Sequence, residues 1–431
     1  LKMVLFCRLC NKNYMTPEIL FNTIILILLF NYLLDLFLEY LNIQNYSPEL
    51  PPALEGVYDD EKYRKARAYD LTKTRFGFVT STFSIILMLA MLFFDGFAWV
   101  DSFVRTFFTA PIPVAIAFFG LLAMGSDLLG MPFSLYSTFV IEEKFGFNKT
   151  TVKTFIIDKL KGYLLGAVIG GGLLSLFVWF YNTAGALFWV YAWLAFSGFT
   201  LFMTAFYASV IVPLFNKLSP LEKGPLRTAI EEYCGKVNFK LDNLFVMDGS
   251  KRSAKANAFF SGLGARKKIV LYDTLIKNHT HEELVAVLAH EAGHYKKKHT
   301  RSSIVLSVLQ TGLMLFILSL VIDNPNLSSA LGALVPGFHI GLLVFGLLYS
   351  PLSLIMGIGM NILSRQNEYE ADAYAKETYN GEALQTALKK LSVDNLSNLT
   401  PHPLYVFFHY SHPTLLQRLK ALKENLSASR G

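Results

Sequence analysis

The sequence predicts an α-helical multi-pass membrane protein, with a polar α+β portion gathered on one side of the bilayer. Three observations predict it. Of 431 residues, 53% are hydrophobic and only 16% are charged, and mean hydropathy is positive at +0.40. The apolar residues run in long blocks, where a membrane-crossing helix needs about 20 residues. Lys and Arg alternate between rich and poor in the segments joining those blocks.

Seven blocks stand out: 18–41, 79–104, 110–139, 160–181, 185–215, 302–322 and 337–363. The first is interrupted by Asn22, Asn31, Asp35 and Glu39 and lacks a small-residue cleavage site, so it reads as a retained helix and not as a signal peptide. Residues 1–14 precede it and contain Cys7 and Cys10 as a C-x-x-C. No second pair completes a four-cysteine site, so chance or a tag is the reading there. The expectation is that residues 1–14 lie outside the natural protein, with Met15 as its start. Three cysteines in all make no disulfide framework. "AVIGGGLLS" (167–175), with Gly166 and Gly170 four apart, predicts close helix packing within the fourth block.

The net charge of +7 is unevenly placed. Lys62, Arg64, Lys65, Arg67, Lys73 and Arg75 follow the first block, while residues 323–336 hold neither Lys nor Arg. The positive-inside rule puts 42–78, 140–159, 216–301 and the C-terminal tail in the cytoplasm. Because the basic loops keep phase with the helices, topology explains them and no nucleic-acid partner is expected. The chain divides into 15–215 with five membrane helices, 216–301 as a polar segment, 302–363 with two more helices, and a second polar segment 364–431.

Within 216–301, residues 221–235 read as an amphipathic helix. "NLFVMD" (243–248), "NAFFSG" (257–262) and "KKIVLYD" (267–273) read as strands, the last two joined by a glycine-containing hairpin turn. Thr280 followed by Glu283 is a capping box, so "HEELVAVLAHEAGHYKKKH" begins a helix. On it His290 and His294, four apart, share a face. Glu291 is rotated about 100° away. This is H-E-x-x-H: two imidazoles for one zinc ion and a glutamate to take a proton from water.

A catalytic zinc needs a third protein ligand. In "SRQNEYEADAYA" (364–375) Glu368 and Asp372 are four apart on an expected helix, and Ala371 and Ala375 allow close approach. Glu368 is assigned to the metal. Asp372 is assigned to the free ring nitrogen of a ligand histidine. In "HYSHPTLLQRL" (409–419), His412 and Arg418 are candidates for stabilising an oxyanion. Spacing alone does not place them.

"HEAGH", "SRQNEYEAD" and "HYSHPTLLQRL", in this order, resemble the type I CAAX prenyl endoproteases, which are membrane zinc metalloproteases. "GSKRSAKANAFFSGLGARKKIVLYDTL" (249–275) and "MPFSLYSTFVIEEKFGFNKTT" (131–151) extend the resemblance over nearly the whole chain, to about Leu422. Met131 stands where leucine is usual. The resemblance implies seven long helices around an intramembrane chamber, closed on the cytoplasmic side by the α+β zinc domain. It implies one Zn2+ per chain and a prenylated C-terminal peptide or protein as substrate, cut just after the lipidated cysteine to release a tripeptide. Asn257 would bind substrate backbone beside the metal, with His412 and Arg418 lining the same cleft. A cation such as Arg418 is then expected to hold or orient the short tail, and its loss to leave metal content normal.

Two other readings compete. A quality-control membrane metalloprotease would share the zinc motif but have fewer helices. A transporter or channel with a structural zinc would make Asp95 and Asp127 relay groups. The membrane is expected to be the endoplasmic reticulum of a eukaryote or the cytoplasmic membrane of a bacterium, with the site facing the cytoplasm.

Overall fold

The computed structural model describes residues 16–47, 49–52, 59–239, 244–262 and 268–424. Residues 1–14, with Cys7 and Cys10, lie outside the described residues, as does the expected hairpin turn after Gly262. Long apolar helices dominate. α1 spans Pro17–Gln44 and starts at Thr16, whose hydroxyl accepts from the Ile19 amide at 3.3 Å. α2 spans Asp60–Phe93, about 51 Å at 1.5 Å per residue. Its basic first turns are helical, burying Tyr63, Ala66 and Tyr69 against Phe145, Phe147 and Leu399.

The expected single helix over 79–104 is corrected. α2 stops at Phe93, and Asp95 takes a left-handed φ of 51°. A separate α3, Gly96–Arg105, then buries Phe97, Val100 and Val104 on one face. Hydropathy averaged over the block hides this break, because both arms are apolar.

α4 spans Pro111–Tyr136 and continues as a π-turn over Ser137–Glu142. Val152–Phe215 forms one 64-residue helical stretch by hydropathy, which would reach about 96 Å if straight. It is not straight. α5 (Val152–Leu165) passes through a π-turn over Gly166–Gly170 into α6 (Gly171–Ala184). At Gly185, with φ 54° and ψ −135°, the chain reverses into α7, Phe188–Val210. Phe177 of α6 meets Phe196 of α7 at 5.6 Å between ring centroids. Counting the two arms separately gives seven long apolar stretches among the described residues. The glycines at 166, 170, 171 and 172 have open space where a side chain would begin. They shape a π-turn and do not serve close packing, which corrects that expectation.

The polar portion opens with β1 (Leu218–Pro220) and α8 (Pro225–Lys236). β2 (Leu244–Met247), β3 (Ala258–Ser261) and β4 (Lys268–Tyr272) complete a sheet of order β1-β2-β4-β3. β2 and β4 run parallel, and β3 lies antiparallel to β4 at one edge. The sheet packs on α8, on α9 (Asp273–Asn278) and on α10 (His281–Lys296), with Ile230, Leu271, Leu275, Leu284 and Leu288 in the core.

α11 (His299–Val321) returns to the apolar layer beside α7, where the Trp193 indole donates to the Val308 carbonyl at 2.8 Å. α12 runs unbroken from Phe338 to Thr378, 41 residues or about 61 Å. It is the seventh apolar block and the carrier of Glu368 and Asp372 at once. α13 (Gly381–Asp394), α14 (Pro403–His409) and α15 (Leu415–Lys423) follow.

α10 and α12 pack tightly at Gly293. A Cβ there would lie 2.9 Å from the Ala371 Cα and 3.1 Å from its carbonyl oxygen. Backbone cannot move aside as a flexible side chain can. Gly293→Ala is therefore expected to cost about 1–3 kcal/mol by overpacking, read as a lower thermal midpoint, and to lower metal content by parting His290 and His294 from Glu368.

Candidate metal centre

The capping box forms as the sequence requires. The Glu283 amide donates to the Thr280 hydroxyl at 3.3 Å, and the Thr280 amide donates to the Glu283 carboxylate at 2.9 Å. It fixes the start of α10 and so the phase of the residues three turns on. His290 is buried and His294 half-buried. Their Nε2 atoms stand 3.2 Å apart.

α12 crosses beside them. The Glu368 carboxylate, buried at 4% exposure, lies 3.4 Å from His290 Nε2 and 3.2 Å from His294 Nε2. Its Oε2 is sealed from water and makes no hydrogen bond among the described residues. Burial would raise this carboxyl, but His290, His294 and Arg418 hold it well below the usual carboxylate range.

The three side chains fit a metal ion. Their donor atoms fall within 4.8 Å of one another. Two ligands bound at 2.0–2.1 Å on a tetrahedral ion stand about 3.3 Å apart, close to the observed edges. Glu368 Oε2, buried and without a hydrogen bond among the described residues, also has a lone pair left for an ion.

Around the donors lies a set of buried groups. Asp372 Oδ1 is 2.8 Å from His290 Nδ1. Arg418 donates to both oxygens of Asp372, from Nε at 2.8 Å and from Nη2 at 2.6 Å. Its Nη1 lies 3.4 Å from Glu368, and its side chain is only 12% exposed. Arg418, expected to line the cleft and hold a substrate tail, places its guanidinium on the buried Asp372 carboxylate and beside Glu368.

His412 stays at the rim. Its side chain is 63% exposed, with Nε2 3.4 Å from Glu368 Oε1, and its Nδ1 is 2.9 Å from the Ser411 hydroxyl. Asn257 is exposed one residue before β3, and its side-chain oxygen accepts from the Ala258 amide at 2.8 Å.

Glu291 is half-buried, and burial pushes its carboxyl up. With His294 it faces a cavity of about 1380 Å3. Residues 258–262 of the sheet edge, Thr204 and Tyr207 of α7, Ile304 of α11 and Asn367 of α12 complete the walls. The cavity thus joins the metal centre, an edge strand and the apolar rods.

Residues 39–217 match the family description "CAAX prenyl protease N-terminal, five membrane helices", and residues 220–426 match peptidase family M48. A Schizosaccharomyces pombe protein named "Probable CAAX prenyl protease 1" is 38% identical over 406 residues, covering 91% of this chain and 86% of that protein. The chain belongs to the CAAX prenyl protease 1 family. The family's Homo sapiens homologue is 33% identical, with 88% of this chain and 89% of that one covered. The crystal structure of S. mikatae Ste24p superposes with a TM-score of 0.89 at 35% identity, over 94% of this chain and 99% of that one. As a family member the protein is a metallopeptidase spanning a membrane several times, and the metal centre lies wholly within the region that matches peptidase family M48.

Two residues of the site escaped sequence reasoning. His299 and Glu370 stand behind His294, and neither has a helical spacing that announces them. Asp127, one of the two suspected relay groups, is instead paired with Lys159 and accepts from Tyr163. Asp95 sits at the α2–α3 turn.

Proposed function

We propose that this chain is a membrane zinc endoprotease that removes the C-terminal tripeptide from prenylated CAAX proteins. One observation carries the reading: Glu291 and His294, beside the His290–His294–Glu368 cluster, line a cavity that is bounded on one side by the edge strand β3 and on the other by apolar rods. The names of the relatives support the substrate class.

Zinc, when bound by His290, His294 and Glu368, lowers the pKa of a water and polarises the scissile carbonyl. The rest falls to the chain. The extended peptide pairs along β3 as an added strand, with Asn257 at the start of that edge. Glu291 takes a proton from the attacking water. As the C–N bond breaks, that proton passes to the departing amine. His412, at the mouth, donates toward the oxygen that gains charge. The prenyl group lies among the apolar rods, where burial contributes about 25 cal/mol per Å2.

Arg418 is engaged with Asp372 and Glu368. Lys298 and Arg301 line the same cavity and have no hydrogen-bonding or ionic side-chain partner among the described residues, so they are the cations that a terminal carboxylate meets. The basic loops support an active site facing the cytoplasm. The similar proteins are eukaryotic, which favours the endoplasmic reticulum. A structural metal would not require Glu291 on the cavity wall, and that weighs against the transporter reading.

The test is cleavage of a farnesylated peptide by the purified protein, with and without a chelator. The prenylated peptide is expected to be cut, the bare one at least tenfold more slowly, and an amidated C-terminus to raise KM. Faster cutting of internal bonds in unprenylated, unfolded chains would instead establish quality control.

A further inference from the structure

The two histidines of the metal centre are held in different ways. Behind His290 stands a carboxylate, Asp372, at 2.8 Å. Behind His294 stands another histidine. His294 Nδ1 and His299 Nδ1 are 3.1 Å apart, and the rings cross at 76°. The far side of His299 reaches Glu370, Nε2 to Oε2 at 3.2 Å. His299 is buried at 6% exposure, while Glu370 is open to solvent.

The backbone is bent to make this pair. Lys298 adopts φ 62°, ψ 25°, a left-handed conformation that L-residues avoid. That turn ends α10 and starts α11 with His299 folded back on His294. A straight continuation of α10 would carry residue 299 away from the ring five residues earlier.

The chemistry leaves one consistent set of protons. His294 offers Nε2 to the metal, so its proton is on Nδ1. His299 must then accept at Nδ1 and carry its own proton on Nε2, which donates to Glu370. Each group has one role, and the chain ends on an ionised carboxylate. We infer that His299, backed by Glu370, is a positioning residue that fixes the tautomer and ring plane of His294 and so sets metal affinity. The inference rests on the metal-centre reading above. It assigns to the last histidine of "HEAGHYKKKH" a role that is neither ligand nor base.

The experiment uses the full-length protein in detergent and measures zinc affinity by competition with a chromophoric chelator, without substrate. Partners of this kind are worth about 10–100-fold in metal affinity. His299→Leu, which fills the space without an acceptor, is expected to weaken zinc binding within that range. His299→Gln, whose amide oxygen can accept from His294, is expected to restore most of it. Glu370→Gln, which still accepts from His299, is expected to have a smaller effect than His299→Leu.

Wild-type affinity in His299→Leu overturns the inference. So does equal weakening in the Leu and Gln variants, which marks a packing role. If His299→Leu is not recovered folded, His299→Met against His299→Gln makes the same comparison. Failure of the unmodified protein to bind zinc, or to cut the prenylated peptide, would count against the site or the function and not against the pairing of His299 with His294.

Discussion

Glu291→Gln is expected to lower kcat/KM on a prenylated peptide by about 10²–10⁴-fold, while zinc stays bound at one per chain. Glutamine matches the shape but cannot take a proton from the attacking water. Glu291 is not among the three side chains whose donor atoms converge, so its replacement removes no ligand. It has no side-chain hydrogen bond among the described residues, so no network falls with it. Metal analysis beside single-turnover kinetics checks both halves. Loss of zinc in this variant would remove Glu291 from the role of base. His290→Ala should behave in the opposite manner, losing the metal first.

Arg418→Ala is expected to destabilise the centre itself. Asp372 is 2% exposed and Glu368 6% by side chain, and Arg418 faces both. Removing one partner of a buried ionic group leaves uncompensated charge and costs about 3–5 kcal/mol. Asp372 would then lose the guanidinium that orients it, and with it the hold on His290. The variant should therefore show a lower thermal midpoint and reduced zinc, with turnover falling because metal is missing. Arg418→Lys should recover only part of this, since an ammonium cannot bond both carboxylate oxygens as a planar fork does. Normal zinc content in Arg418→Ala, with only KM for the peptide raised, would return Arg418 to substrate binding.

The site shows what a sequence can carry. His290, Glu291 and His294 are legible because their geometry is local: one capped helix sets all three. Glu368 and Asp372 are legible for the same reason, once the first pair demands a third ligand. Arg418 is legible as a residue of the site, but its partners are not. Its partner Asp372 is 46 positions away and His290 is 128, and no local period reports whether a cation points into a cleft or into a core. His299 was invisible because its contact depends on the left-handed Lys298. The strands β2, β3 and β4 were readable from apolar runs, whereas the three-residue β1 is too short to announce itself. The break at Asp95 was lost between two apolar arms.

The unbroken run of α12 has a consequence for where this chemistry can happen. Its first apolar turns hold His339 against Asp101 at 2.7 Å, and its last turns carry Glu368 and Asp372. One rod is both anchor and part of the metal's grip, so the catalytic half cannot be detached as a soluble enzyme by cutting at a linker. Proteolysis is thereby tied to a surface. Substrate is encountered per unit area of bilayer, by lateral diffusion of chains already tethered by their lipid, and the rate answers to how densely the membrane is populated and not to the concentration in the surrounding water.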